Sequence, residues 1–290
     1  MIFKSMDAAR AIRAPKTEPN RKETMAYVLR LAIGLLFISP LVIALLFSFV
    51  PNEHLNSLPT WESVFHHLTL DNYRWVFNTI PMVNYAKNSL ISSFIVIVMQ
   101  ILLASFAAYA FAFFQFPGRE FLFRVVLTAM MIPSTVVIIT NFLFVQELGL
   151  LNTYLGLTIK SFVGGTAIFM MRQFFKTIPK QLKDAAEMDG CGEMRFLFTM
   201  AMPLAAPIYA ALALILFIEV YNMYLWPLLV AQKQEMHTIE IGMAMIVDAE
   251  AMHYGYILAG AIVCLIIPLI VFLIGQKFLV KGLMSGAIKG

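Results

Sequence analysis

The sequence predicts an all-α membrane protein with six transmembrane helices, on the basis of its composition and its long charge-poor stretches. Of the 290 residues, 60% are hydrophobic and only 13% are charged, with a mean hydropathy of +0.80. A soluble domain is about half apolar and a quarter charged. A helix needs about 20 apolar residues to cross a bilayer, and no alternating pattern of a membrane barrel appears. Six stretches are long enough: residues 31–50, 88–116, 125–146, 154–171, 196–232 and 251–276.

Lysine and arginine are distributed unevenly over the predicted connections, which orients the six helices. Bases concentrate in the N-terminal segment, after the second and fourth helices, and in the C-terminal tail. The alternate connections hold only Arg74, Lys87 and Lys233. Because basic loops stay on the cytoplasmic side, we expect both termini and the segment around residues 180–190 to be cytoplasmic. The net charge of +4 follows from this topology and gives no reason to expect a nucleic-acid partner.

A single membrane domain is expected over residues 27–285, between tails of residues 1–26 and 286–290. The first 26 residues are mostly polar and the first apolar run is a full span, so we expect no cleavable signal. Cys191 falls in a predicted cytoplasmic connection and Cys264 inside the last span. No disulfide is therefore expected.

The sequence does not show the chemistry of an enzyme or of a nucleotide site. It contains no G-x-x-x-x-G-K-[ST] loop, so we expect no ATP on this chain. All five histidines fall in or beside predicted outer connections, and an intramembrane metal or protease site would need one within a span. His66 and His67 are adjacent but lack further ligands, which favours solvated loop residues over a metal pair. No catalytic residue and no metal site is predicted.

The segment KQLKDAAEMDGCGEMRF, residues 180–196, is unusually polar for this chain, with seven charged side chains. Pro179 suits the start of a helix, which we expect over residues 180–188. Asp189 and Gly190 supply its end, since glycine favours a left-handed C-terminal cap. The small Ala185 and Ala186 would let another surface approach the helix closely. Two interpretations remain open from the residues alone: a docking surface for a partner, or a solvated connector on the membrane surface.

The fifth predicted span carries polar and aromatic residues at helical spacing. Glu219, Asn222 and Trp226 recur at i, i+3 and i+7, which is one face of a helix. A carboxylate inside a span is costly and usually faces the interior of a bundle, so these residues are candidates for lining a translocation pathway. The alternative is an aromatic belt at the outer interface, formed by Tyr221, Tyr224 and Trp226. Lys160 in the fourth span could pair with Glu219.

Several motifs in order resemble the permeases of bacterial ABC importers. The stretch DAAEMDGCGEMRFLFTMAMPLAAP resembles their E-A-A…G…L-P loop, about 100 residues from the C-terminus. LTLDNYRWVF, NSL, AAYAFAFFQFPGR, MRQFFKTIP and YNMYLWPLLV are similar to the carbohydrate-importer group, typified by the second maltose and second glycerol-3-phosphate permease subunits. The resemblance covers about residues 27–285. It departs at Asp184, where the family usually has glutamate, and at Tyr221, where tryptophan is frequent.

The resemblance implies a type I importer permease fold and a set of partners. Such a subunit pairs with a second homologous permease, receives its carbohydrate from an extracytoplasmic binding protein, and docks a coupling helix on a dimer of ATPase subunits. ATP and Mg²⁺ would belong to the ATPase, and this chain would hold no cofactor. Within the loop of residues 176–203, the coupling residues would be Asp184, Ala185, Ala186, Asp189 and Gly190. The substrate pathway would involve Glu219, Tyr221, Asn222 and Trp226.

Two other classes of function remain as alternatives. An ion-coupled secondary carrier of polar solutes would show charged residues at mid-membrane in broken helices, and only Lys160 and Glu219 qualify. An intramembrane enzyme is disfavoured by spans without histidine. The particular carbohydrate is not specified by any motif.

Overall fold

The computed structural model describes residues 21–55, 67–250 and 253–287, and all regular structure within these ranges is helical. The chain divides into two compact units, Met1–Phe47 and Ser48–Gly290. The described part of the first unit is one helix, α1, over Arg21–Phe47, which includes most of the predicted first span. Pro40 lies inside it, and a proline leaves the carbonyl four residues earlier without its N–H partner. The hydroxyl of Ser39 donates to that carbonyl, on Leu36, at 2.9 Å, so the helix continues.

The second unit consists of fourteen helices over the described residues, with a few tighter or wider turns between them. They are α2 (Asn52–Leu55), α3 (Asp71–Thr79), α4 (Met82–Phe113), α5 (Arg119–Ala129), α6 (Ile138–Glu147), α7 (Tyr154–Thr158), α8 (Gly165–Phe175), α9 (Lys180–Met188), α10 (Glu193–Phe196), α11 (Met202–Leu204), α12 (Ala206–Tyr221), α13 (Leu225–Val230), α14 (Ile239–Ala249) and α15 (Tyr254–Ala287).

Helix α4 is the central element of this unit and packs against α8 and α12. At about 1.5 Å per residue, its 32 residues form a helix that is longer than the ~30 Å thickness of a bilayer core. Half of its twelve buried residues are serine or alanine, and such small side chains allow close approach of neighbouring helices. Ala104 and Ala108 are buried as expected for a packing face. The hydroxyls of Ser93 and Ser105 donate to carbonyls one turn earlier, on Ser89 and Ile101, and so bring no unpaired donor into the core.

The prediction of six continuous spans is only partly confirmed. Among the described residues, three helices are long and apolar enough to cross a membrane, within α1, α4 and α15, and up to five spans result if each of two bent pairs is one span. The predicted span of residues 125–146 is interrupted between α5 and α6, where Pro133 cannot continue a helix. The fourth span is bent by 53° before α8. The fifth is bent by 75° before α12, close to Pro203 and Pro207.

One hydrophobic cluster positions the polar segment that the sequence singled out. It joins the second half of α4 to α8 and to residues 186–212, with Phe175, Phe196 and Leu197 fully buried. A π-helical turn over Leu197–Ala201 connects α10 to α11. Two further clusters surround the other end of α4 and the α7–α13 region. Helix α9 therefore lies on a closely packed base rather than in a free loop.

Candidate functional site

The helix expected at residues 180–188 is present as α9, and its end has a defined geometry. Pro179 takes the N-cap position with φ −60° and ψ 135°. Gly190 has φ +74°, a left-handed conformation that glycine adopts without steric cost. The N–H of Cys191 donates to the carbonyl of Ala186 at 2.9 Å, and the N–H of Gly190 donates to that of Glu187 at 3.0 Å. This pair of bonds is a Schellman motif, so the predicted stop at Asp189 and Gly190 is confirmed.

The two alanines of α9 point in different directions. Ala186 is 4% exposed and packs into the cluster beneath the helix, whereas Ala185 is exposed. The exposed side of α9, here called the outer face, is formed by Gln181, Asp184, Ala185 and Met188. Met188 is 88% exposed, so the outer face also presents a large apolar side chain. The sequence pattern drew attention to the alanine pair, but only Ala185 belongs to the accessible surface of this chain.

A polar cluster fixes the inner side of α9 to α4. The Lys183 ammonium lies 2.9 Å from Glu193 and 3.5 Å from Glu187, and the Tyr109 hydroxyl donates to the other carboxylate oxygen of Glu193. Partial burial opposes ionisation of Glu193, but the hydrogen bonds from Tyr109 and Lys183 outweigh it and hold the pKa of this carboxyl below its usual value. Sequence reasoning missed Tyr109, since it lies 84 residues before Glu193 within an otherwise apolar span.

A second polar cluster lies at the turn between α4 and α5. Arg172 is buried, with its side-chain Nη2 2.7 Å from Oε1 of Glu120. Its Nε donates to the carbonyl of Phe111 at 3.3 Å, and its guanidinium lies 3.8 Å from the ring centroid of Phe123. A charge-assisted hydrogen bond of this kind is stronger than a neutral one. Arg172 thus ties α8 to both sides of the α4–α5 turn.

The prediction that Glu219, Asn222 and Trp226 share one face of a helix is wrong, because the helix does not continue through these positions. Helix α12 ends at Tyr221, Asn222 caps it, and α13 begins only at Leu225. Helical periodicity therefore does not carry from Glu219 to Trp226. Glu219 and Asn222 are both exposed at the end of α12, and Glu219 is near enough to Lys160 for their charges to interact.

Two of the three aromatic residues predicted for an interfacial belt are buried inside this chain, while Tyr224 is exposed. Trp226 is 1% exposed, and its indole N–H donates to the carbonyls of Gly156 and Leu157 at 3.2 and 3.1 Å. Tyr221 is fully buried beside Phe217. Both side chains hold helices together within this chain, and their part in a substrate pathway stays a prediction.

The segment between the first and second spans packs on the last helix. Trp75 stacks on Tyr256 with ring centroids 4.3 Å apart, and the Asn72 amide donates to the carbonyls of Ser48 and Val50. His66, one of the two adjacent histidines of the sequence analysis, lies outside the described residues. Within the described ranges, no group of three or more His, Cys, Asp or Glu side chains is arranged to hold a metal ion.

The chain is similar to known transport proteins in sequence and in fold. Residues 100–284 match the family described as "Binding-protein-dependent transport system inner membrane component". The chain is 34% identical to the arabinooligosaccharides transport system permease protein AraQ of Halalkalibacterium halodurans, over 77% of this chain and 80% of that protein. It is 39% identical to the sn-glycerol-3-phosphate transport system permease protein UgpE of Brucella melitensis, over 68% of this chain and 71% of that protein.

A solved structure shares the fold. A chain of a bacterial ABC transporter involved in the import of the acidic polysaccharide alginate superposes with a TM-score of 0.74 at 21% identity, covering 89% of this chain and 98% of that chain. The family match spans more than half of the chain and includes α9, α12 and most of α15. The chain therefore belongs to the family of binding-protein-dependent transport system inner membrane components, the permease subunits of ABC transporters.

Proposed function

We propose that this chain is one permease of an ATP-driven importer for a carbohydrate or a related polyol phosphate. It would form the translocation pathway with a second homologous permease, receive its substrate from an extracytoplasmic binding protein, and hold no cofactor itself. The relatives named for arabinooligosaccharide and glycerol 3-phosphate transport support this substrate class. A structure of the alginate transporter with a pentasaccharide-bound periplasmic protein, 18% identical in the compared chain, gives a precedent for delivery by a binding protein.

The coupling role rests on one observation: one side of α9 is packed against the rest of the chain, and the opposite side is exposed. Its inner side is fixed through Ala186 and Lys183, while Gln181, Asp184, Ala185 and Met188 remain exposed. A helix held in this way transmits displacement to α4 and α8 instead of bending independently. In this proposal a cleft of the ATPase, which binds ATP and Mg²⁺, accepts the outer face of α9. Asp184 and Asp189 would meet basic groups there, and Ala185 would permit close approach.

The proposed pathway surface is the exposed end of α12. Glu219 and Asn222 are one turn apart, with side chains that this chain leaves uncovered. A carboxylate and an amide at that place could hydrogen-bond to the hydroxyl groups of a carbohydrate. The second permease would cover the rest of the pathway. Tyr221 and Trp226 would act as internal supports that fix the direction of α12 and α13.

Substitutions in α9 test the coupling role. Asp184→Lys places like charge against the proposed basic partner, and Asp248→Lys makes the same exchange at an exposed position of α14. We expect Asp184→Lys to lower both ATPase co-purification and substrate uptake, while Asp248→Lys leaves both near normal. Membrane insertion and pairing with the second permease should survive in both variants. Normal ATPase retention in Asp184→Lys would contradict docking through the outer face.

Two substitutions at Gly190 that differ in backbone strain test the geometry of the helix end. A Cβ built on Gly190 meets no atom within 4 Å, so any defect comes from backbone strain and not from a clash. Asparagine tolerates the left-handed region much better than a β-branched residue does. We therefore expect Gly190→Val to reduce ATPase retention and uptake much more than Gly190→Asn does. Equal behaviour of the two variants would mean that the left-handed turn does not orient α9.

A further inference from the structure

Two adjoining cavities flank the turn between α4 and α5, and four basic side chains that line them have no part in the proposed coupling or transport roles: Arg119, Arg124, Lys176 and Lys180. The first has a volume of about 550 Å³, and its wall includes Arg119, Phe121 and Arg124. The second, of about 420 Å³, lies between this turn and α9, and its wall includes Arg119, Lys176 and Lys180. Arg119 lines both cavities, so together they form one cleft, here called the basic cleft.

The acids near the basic cleft are largely paired, whereas several of its bases are not. Glu120 is shared between Arg172 at 2.7 Å and Arg119 at 3.3 Å. Lys183 is neutralised by Glu187 and Glu193. Arg124, Lys176 and Lys180 are exposed, and none of them forms an ion pair with a carboxylate in the described part of the chain. Three positive charges of the cleft therefore lack an ion-pair partner. Among the acids that line the cleft, Asp184 alone forms no ion pair with the described residues.

An apolar surface continues directly from the cleft along α5. Phe121 and Val125 are 62% and 49% exposed, and they lie four residues apart on one side of the helix, with Leu122 next to them. Phe123 points the other way and is buried. Phe121 also lines the first cavity together with Arg124. Positive side chains beside an apolar helical face, in a protein that resides in a bilayer, are complementary to a phosphate group with acyl chains attached.

We propose that the basic cleft binds the headgroup of an anionic phospholipid, with the acyl chains lying along Phe121, Leu122 and Val125. Arg124 and Lys176 contact the phosphate, and Arg119 contributes from between the two cavities. A free phosphate ion would use the same cations but would gain nothing from the apolar face of α5. An acidic segment of a partner protein would likewise leave that face uncovered. The combination of uncompensated bases and adjacent apolar side chains therefore favours the lipid.

The test is lipid retention by the purified full chain in a neutral detergent, without ATPase, binding protein or sugar. The chain is mixed with micelles containing phosphatidylglycerol or phosphatidylcholine, and the retained lipid is quantified by mass spectrometry after gel filtration. We expect preferential retention of phosphatidylglycerol. Removing one cation near a membrane surface weakens anionic lipid binding about fivefold, which is the expected effect of Arg124→Gln and of Lys176→Gln. Both positions are exposed, so the variants should fold.

Matched controls separate the lipid from the other occupants. Arg195→Gln removes the same charge from an exposed position that lines neither cavity, and it should leave retention unchanged. Phe121→Ser should weaken phosphatidylglycerol retention with all bases present. Equal retention of the two lipids, or an equal loss in Arg195→Gln, would overturn the proposal. Displacement of the lipid by millimolar inorganic phosphate would instead identify a free-anion site. Since no importer activity is measured, these outcomes are independent of the proposed transport function.

Discussion

At the scale of single residues, Glu193 connects more of the candidate site than any residue that the motif itself highlights. It accepts from Tyr109 on α4 and pairs with Lys183 on α9, and it opens α10. Three elements therefore meet at one carboxylate. The E-A-A-type motif draws attention to Asp184 and the alanines, yet the orientation of α9 relative to α4 depends on this cluster.

The depressed pKa of Glu193 predicts a specific acid sensitivity. A carboxyl whose pKa is lower in the folded chain than its ordinary value of 4.5 contributes stability above that value and loses the contribution as the pH falls through the folded pKa. We expect the melting temperature of the purified chain to decline below about pH 4.5, and to decline less in Glu193→Gln. Glu147→Gln removes an exposed carboxylate from α6 and should follow the parent chain. Parallel pH curves for the parent and Glu193→Gln would show that the cluster contributes nothing.

At the scale of elements, the breaks between short helices separate the polar residues of the fifth span into two roles. Glu219 and Asn222 end α12 with exposed side chains, while Trp226 belongs to α13 and is buried against the α7 region. A single helical wheel would have placed all three on one face. The difference arises because residues 222–224 are not helical, and Pro227, in the first turn of α13, cannot donate to the carbonyl of Met223 and so favours the break.

This separation predicts two different phenotypes. Asn222→Leu and Glu219→Gln should reduce uptake while the assembled complex keeps its melting temperature. Trp226→Phe removes the donor to two buried carbonyls, and losing such a bond costs about 1–3 kcal/mol, so it should lower the melting temperature. Tyr224→Phe, at an exposed neighbouring position, is the control and should do neither. Unaltered uptake in both α12 variants would remove Glu219 and Asn222 from the pathway.

The sequence predicted local features well and the course of the spans less well. Helix α9 and its end depend on neighbours within one turn, where capping rules apply, and both were found where expected. The interruption between α5 and α6 was missed although Pro133 lies in it; next to the break, Gly165 lies where a Cβ would meet the Met130 side chain. Hydropathy averages over such a break because the residues on both sides of it are apolar. The Arg172–Glu120 pair spans 52 residues, and no local pattern indicates it.

At the scale of the whole molecule, the orientation inferred from the basic connections remains a prediction, and it determines whether α9 can reach an ATPase. Thr177 and Gln234 are both exposed, in connections assigned to opposite sides. In a background with Cys191→Ser and Cys264→Ala, a single cysteine at position 234 should react with an impermeant thiol reagent in intact cells. One at position 177 should react only after the membrane is opened. Labelling at position 177 from outside would invert the topology and remove the coupling role.

The contrast between the uninterrupted α1 and the broken helices has a consequence for biosynthesis. Helix α1 satisfies its own backbone, including the carbonyl freed by Pro40, so it can leave the translocation machinery for lipid as soon as it is made. Helices α5 and α6 have 11 and 10 residues, and the backbone between them requires protein neighbours, since lipid offers it no hydrogen-bond partner. Those neighbours include α8, which contacts α5 and is synthesised later. We therefore expect the middle of the chain to complete its membrane integration only after downstream segments emerge, so that folding as well as hydrophobicity governs the process.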